Sequence, residues 1–196
     1  MSYRIYTTDA FVLGSRPAGE ASLQFTLFTH ELGLVRAHAQ GVQLLASKLR
    51  AGLQTLTASS VSLVRGREVW RLTSTSAHAH AATKRLCADE RVVWARILAL
   101  VERLVRGEEQ DELLYQMLVA IAAFLAREEL SSDELLCLEL LAKLRILHHL
   151  GYVGGTSVSL EPFLHEEVSR EVLRKLEGHA GVIAGIIATS LQATQL

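Results

Sequence analysis

Between Ser22 and Thr29 the chain alternates with a period of two, placing Leu23, Phe25 and Leu27 on one side and Gln24, Thr26 and Phe28 on the other. That is the pattern of a strand with one face turned to a core. His30–Gly33 interrupts it with a tight turn in which Gly33 is free to take positive φ, and Leu34–Ala39 reads as the returning strand. This hairpin commits the start of the chain to a sheet, and the flanking sequence supplies further strands. Tyr3–Thr8 and Phe11–Ser15 read as two strands or one bent strand, closed by Pro17 and Gly19. Gly41 ends the hairpin, and Val42–Gly52, with weak periodicity, is a loop, a short helical turn or both. Leu53–Val64 and Glu68–Thr73 form a second hairpin around an Arg65-Gly66-Arg67 tip. Short strands joined mostly by tight turns within about 75 residues predict a small closed or partly open barrel.

After Ser74 the periodicity changes. Thr75–Thr83, rich in Ala and His, is a poor strand and a plausible helix start, which puts a domain boundary near residue 80. Val92, Val93, Ile97, Leu100, Val101 and Leu104 recur at helical spacing within Ala88–Arg106, and Gly107 stops that helix. Glu109–Arg127 follows, with Glu109, Asp111 and Glu112 in a first turn where the helix dipole favours acids. Ser131 with Glu134 is a capping box for a third helix ending at Leu150, with Gly151 just beyond it. Glu166–Glu177 and Gly181–Gln192 complete the series. The expected class is α+β: a barrel domain over residues 1–80 and an all-helical domain over residues 81–196.

With 49% hydrophobic and 21% charged residues, the chain has an ordinary globular balance. The charge is unevenly divided. Residues 1–80 carry eight basic and four acidic side chains, and residues 81–196 carry twelve and seventeen. Such asymmetry suggests a polyanionic partner for the first half. Cys87 and Cys137 have no second cysteine nearby and read as two buried, reduced thiols. The N-terminus lacks the apolar core of a signal peptide, and no apolar run is long enough to span a bilayer. The expected location is the cytoplasm, away from the membrane.

No metal-ligand spacing is present: His78/His80 and His148/His149 lack the accompanying acid or cysteine. Gly151–Gly155 lacks the Lys and Ser/Thr of a phosphate loop, and no catalytic constellation can be assembled, so neither an enzyme nor a cofactor is expected. The positive signal is the set of cations on the barrel segments: Arg16, Arg36, Lys48, Arg50, Arg65 and Arg67. Cations beside phosphates gain affinity by releasing condensed counterions, with no need for a particular base sequence; the same charges on a surface also serve solubility. Phe28 and Trp70 are the aromatic residues that could stack on bases, or they could be core.

The order of these residues resembles that of the N-terminal domain of the bacterial RecO family of recombination mediators. The matching pieces are Gly19-Glu20-Ala21-Ser22, Phe28-Thr29-His30-Glu31-Leu32-Gly33, Ala39-Gln40-Gly41, Ser47-Lys48-Leu49-Arg50 and Leu53-Gln54, with a weaker continuation in Lys143–Tyr152 ending Leu150-Gly151-Tyr152. The resemblance implies an OB-fold β-barrel followed by a helical domain. It also implies a DNA repair and recombination protein of the RecF pathway, active in the response to DNA damage. Such a protein binds single- and double-stranded DNA, anneals complementary strands, and helps load the recombinase RecA onto DNA coated by single-stranded DNA-binding protein. The implied partners are RecR and the tail of the single-strand-binding protein. An apolar groove rimmed by Arg91, Arg96, Lys143 or Arg145 would suit that acidic tail. Where the family carries a basic run this chain reads Gln40-Gly41-Val42-Gln43-Leu44, which shifts the expected contacts to Arg36, Lys48, Arg50 and the Arg65/Arg67 tip. Where many members carry a cysteine-rich zinc module, this chain passes from Gly154-Gly155 into its last helices, so zinc is not expected. The alternative reading is a protein-interaction adaptor that scaffolds recombination partners without binding DNA.

Overall fold

The computed structural model describes residues 4–42, 49, 52–66, 69–77, 86–154 and 160–194. It resolves into two compact units, the first made of Met1–Arg85 with Leu104–Gln116 and the second of Leu86–Arg103 with Met117–Leu196. The boundary expected near residue 80 falls among residues 78–85, outside the described ones.

Five strands form the first unit's barrel: β1 (Ile5–Pro17), β2 (Leu23–Thr29), β3 (Gly33–Ala39), β4 (Ala58–Arg65) and β5 (Trp70–Ala77). They close in the order β1-β2-β3-β5-β4, an OB-like arrangement. The two N-terminal segments are one bent strand. Its first half pairs antiparallel with β4, from Ile5↔Val64 to Phe11↔Ala58, and its second half with β2. An irregularity between Val12 and Gly14 lies where the strand takes up its second partner, the kind of bend a bulge provides. The barrel closes through a short parallel contact between β3 and β5, at Ala37↔Trp70 and His38↔Arg71. Strand β5 runs to Ala77, so Thr75 onward continues the sheet where a helix start was expected. The polar Ser/Thr alternation there satisfies the β4 ladder, from Val61↔Thr75 to Ser59↔Ala77.

The inward positions are apolar. Ala10, Val12, Phe25, Leu27, Val35, Ala37, Val61, Leu63, Trp70 and Leu72 make one buried cluster, each large side chain contributing roughly 1.5–3 kcal/mol by leaving water. On the other face of β1 and β2, Phe11 and Phe28 are buried as well. Phe11 and Phe28 lie 5.2 Å and 6.1 Å, ring to ring, from Tyr115. Burial, with Asp9 nearby, pushes the Tyr115 phenol well above its ordinary pKa. Phe28, read as lying on a polar side, is fully buried, because alternation points it out of the barrel into a face covered by this aromatic cluster.

The turn between β2 and β3 is held from within. The Thr29 hydroxyl, fully buried, donates to the Gly33 carbonyl at 2.9 Å and accepts from Leu32 N at 2.9 Å. Gly33 has φ +66°, and a Cβ there would sit 2.1 Å from the Glu109 carbonyl oxygen. Its lack of a side chain therefore meets two demands at once: left-handed backbone and close approach of the segment around Glu109. Leu34 N donates to the Gly107 carbonyl at 3.2 Å, fastening that segment beside β3.

Among the described residues six helices follow the barrel: α1 (Ala88–Leu104), α2 (Glu112–Arg127), α3 (Ser132–His149), α4 (Glu161–His165), α5 (Arg170–Glu177) and α6 (Ala180–Ala193). α2 begins at Glu112, three residues later than its sequence suggests, because Asp111 caps it by accepting from Leu114 N at 3.0 Å. The capping box of α3 is complete: Ser131 Oγ accepts from Glu134 N, and Glu134 accepts from Ser131 N. Helix α5 starts at Arg170, with Ser169 as its N-cap, and the short α4 precedes it. Within the second unit α3 packs against α4, α5 and α6 and buries Leu135, Leu138, Leu141, Leu144 and Leu147. Both cysteines are free thiols, Cys137 buried and Cys87 exposed; Cys87 precedes the first turn of α1 and faces solvent. No helix among the described residues is long and apolar enough to cross a membrane.

Candidate nucleic-acid interface

Strand register brings residues distant in sequence into rows on the outside of the barrel. Arg16 lies opposite Gln24, Gln24 opposite His38, and His38 opposite Arg71, so four strands contribute to one transverse row. Residues directly opposite share a face. In the neighbouring row Gly14, Thr26 and Arg36 align across β1, β2 and β3. The Arg16 Nε donates to Gln24 Oε1 at 2.6 Å, which ties the guanidinium to β2.

Beside these rows is a cleft of about 410 Å³ within the first unit, lined by Arg16, Gln24, Arg36, Trp70, Arg106 and Glu108, among others. Arg106 reaches it from the segment that Gly33 and Leu34 hold against the barrel. Gly107, with φ +81°, turns the chain directly after it. Arg16, Arg36 and Arg106 are all exposed, and neither Arg36 nor Arg106 has an ion-pair partner among the described residues. A guanidinium in this state presents planar paired donors suited to phosphate oxygens.

Glu108 is the one acidic side chain among the described residues lining the cleft. Its two oxygens are already engaged: Oε2 accepts from Arg65 Nη1 at 2.7 Å, and Oε1 from Trp70 Nε1 at 2.9 Å. The Arg65 guanidinium also lies over the Trp70 ring, 5.2 Å from its centroid. Trp70 is only 4% exposed, part of the core with its N–H at the cleft wall. Neither Trp70 nor Phe28 offers a free face for a base.

Of the expected DNA contacts, the structure brings Arg16 and Arg36 together and pairs Arg65 with Glu108; Lys48, Arg50 and Arg67 lie outside the described residues. Sequence reasoning missed Arg106 because it sits at the end of a helix in the acidic half. The one local hint was the glycine after it. His38 and Arg71 were missed because only strand register shows that they extend the Arg16 row.

In the second unit, Arg91 on α1 is exposed. Arg96 and Lys143 converge on one buried carboxylate, Glu139, at 3.1 Å and 2.5 Å. Arg145 differs from the rim cation expected of it. It is 8% exposed, and its Nε and Nη2 donate to the carbonyls of Phe163 and Glu166 at 2.6 Å and 2.5 Å. Its donors serve the backbone around α4, and burial lowers its pKa against the opposing pull of Glu166. Among the described residues no three His, Cys, Asp or Glu side chains group to hold a metal ion.

Residues 1–80 match the family model described as Recombination protein O N terminal. Over these residues the chain is similar to the RecO family. Relatives named DNA repair protein RecO include one from Heliobacterium modesticaldum, 44% identical over 70 residues, covering 36% of this chain and 26% of the relative. One from Pelotomaculum thermopropionicum is 34% identical over 126 residues, covering 63% and 48%. One from Synechococcus is 31% identical over 135 residues, covering 69% and 43%. The chain thus spans about half or less of the length of these RecO relatives. The RecO-like segment Phe28-Thr29-His30-Glu31-Leu32-Gly33 is accounted for physically at both ends. Phe28 fills the aromatic cluster, Thr29 ties the turn, and Gly33 admits the segment that carries Arg106.

Proposed function

We propose that this chain is a DNA repair and recombination mediator. In this reading it binds single- and double-stranded DNA through the first unit, anneals complementary strands, and helps load recombinase onto DNA coated by single-stranded DNA-binding protein. The observation that carries the reading is the convergence of Arg16, Arg36 and Arg106 on one cleft, with the Arg16–Gln24–His38–Arg71 row beside it. The mechanism is charge neutralisation. Guanidinium groups hold the phosphate backbone without reading bases, and pairing between the two strands supplies the sequence specificity. The burial of Phe28 and Trp70 supports this over stacking. The protein acts in the cytoplasm as a binding factor, with no covalent step of its own. Its proposed partners are RecR and the acidic tail of the single-strand-binding protein, the latter docking on the second unit near Arg91, Arg96 and Lys143.

The test is oligonucleotide affinity measured against salt, together with annealing of complementary strands. Arg16→Ala, Arg36→Ala and Arg106→Ala should each reduce the slope of log affinity on log salt by about 0.7 on single strands, and annealing should slow in step. A wild-type protein that neither binds nor anneals at low salt, yet retains RecR, would instead support the adaptor reading.

A further inference from the structure

Glu108 has an unusual position for a carboxylate: it stands in the wall of a cleft whose other charged lining residues are three arginines. It is 39% exposed at its side chain, and its charge is spent on Arg65. Arg65 is 63% exposed and is held by two contacts, the Trp70 ring beneath it and Glu108 at its edge. A stacked guanidinium keeps its in-plane N–H donors at the ring edge, and one of those donors is the Nη1 that Glu108 occupies. Trp70 Nε1 meanwhile supplies the second Glu108 oxygen with a neutral donor. The arrangement is one anion bound by a guanidinium and an N–H, which is the donor set that would otherwise receive a phosphate oxygen.

From this we infer that Glu108 occupies a phosphate position and determines which cations of the cleft a DNA strand can use. It withholds Arg65 and confines the phosphate backbone to the side formed by Arg16, Arg36 and Arg106. This inference rests on the DNA-binding reading above and adds to it a residue that limits affinity. The physical ground is competition. A fixed internal carboxylate at 2.7 Å needs no counterion and loses little entropy on pairing, so a diffusing phosphate must displace it while also approaching its negative charge. A weaker grip on one strand suits a protein that must let a second strand pair with the first.

The experiment is a double-mutant cycle on the full chain, read by single-stranded oligonucleotide affinity across a salt series. Glu108→Gln keeps an oxygen to accept from Trp70 Nε1 but no longer holds Arg65 by charge. The salt slope should steepen by about 0.7, one extra contact. That corresponds to about eightfold tighter binding at ~0.05 M than the same slope change gives at 1 M. Arg65→Ala in the Glu108→Gln background should cancel the gain. Thermal unfolding of each variant reports fold integrity. A merely structural Glu108 predicts equal or weaker binding for Glu108→Gln, and that outcome overturns the inference while leaving the DNA-binding reading intact. A gain in Glu108→Gln that survives the added Arg65→Ala also overturns it. Absence of any salt-dependent binding by the wild type would instead sink the DNA-binding reading itself.

Discussion

Replacing Gly33 with alanine tests how the barrel acquires its third cleft arginine. Two separate costs are built into that position. At φ +66° an L-residue crowds its own carbonyl, which costs roughly 1–2 kcal/mol. The added Cβ would also lie 2.1 Å from the Glu109 carbonyl oxygen, 2.8 Å from its carbonyl carbon and 2.9 Å from its nitrogen. All three are backbone atoms, so no rotamer change relieves the contact and the segment must move away. The bond from Leu34 N to the Gly107 carbonyl then breaks, a loss of about 0.5–1.5 kcal/mol. Together the substitution should cost about 1.5–3.5 kcal/mol. Gly107→Ala is the internal control: its φ is +81°, but a Cβ there meets nothing within 4 Å, so only the roughly 1–2 kcal/mol backbone cost applies. Urea unfolding of both variants, with the midpoint and slope fitted by linear extrapolation, gives the comparison. Gly33→Ala should be the more destabilised, and its salt slope for DNA should fall by about 0.7 as Arg106 leaves the cleft. Equal destabilisation of the two variants would refute the close approach of Glu109 and, with it, the account of how Arg106 is placed.

Two further outcomes bear on the second unit. Arg145→Ala should destabilise by about 2–4 kcal/mol, since it strips a charged donor from two carbonyls around α4; calorimetric unfolding checks this, and a change below ~1 kcal/mol would show that the buried guanidinium is dispensable. The Glu134 carboxyl is held below its ordinary value chiefly by the Ser131 N–H, with further help from Arg170, against the opposing effect of burial. A carboxyl lowered on folding adds stability that is present above its unfolded pKa and lost as pH falls through the folded one. Glu134→Gln should therefore be less stable than wild type at neutral pH and should lose less on acidification. Parallel acid limbs in denaturant titrations of the two proteins would contradict this.

Much of the architecture was legible in local pattern. The Leu23–Ala39 hairpin, the Ser131/Glu134 capping box and the Gly107 and Gly151 stops depend on side-chain period and on glycine's freedom at positive φ, and these are properties of neighbouring residues. The same locality explains the errors. Phe28 sits where alternation points outward, and only packing with Tyr115 shows that this outward face is also interior. Arg145 looks like any helix cation until the carbonyls near α4 come round to meet it. Thr75–Ala77 lacks strand-forming bulk, yet the β4 ladder carries it on as strand.

The cleft shows the division most clearly. That the barrel segments carry excess positive charge, and that Arg36 lies on a strand, follows from the linear order of residues; the structure extends β1 to take in Arg16. Which cations meet does not. Arg106 lies 70 residues beyond Arg36 in sequence and joins it only because Gly33 leaves room for the chain to pass. Arg65, equally basic in sequence, is spent on Glu108. Charge is a property of a residue, but availability of that charge depends on what stands within about 4 Å of it, and that is decided by tertiary structure.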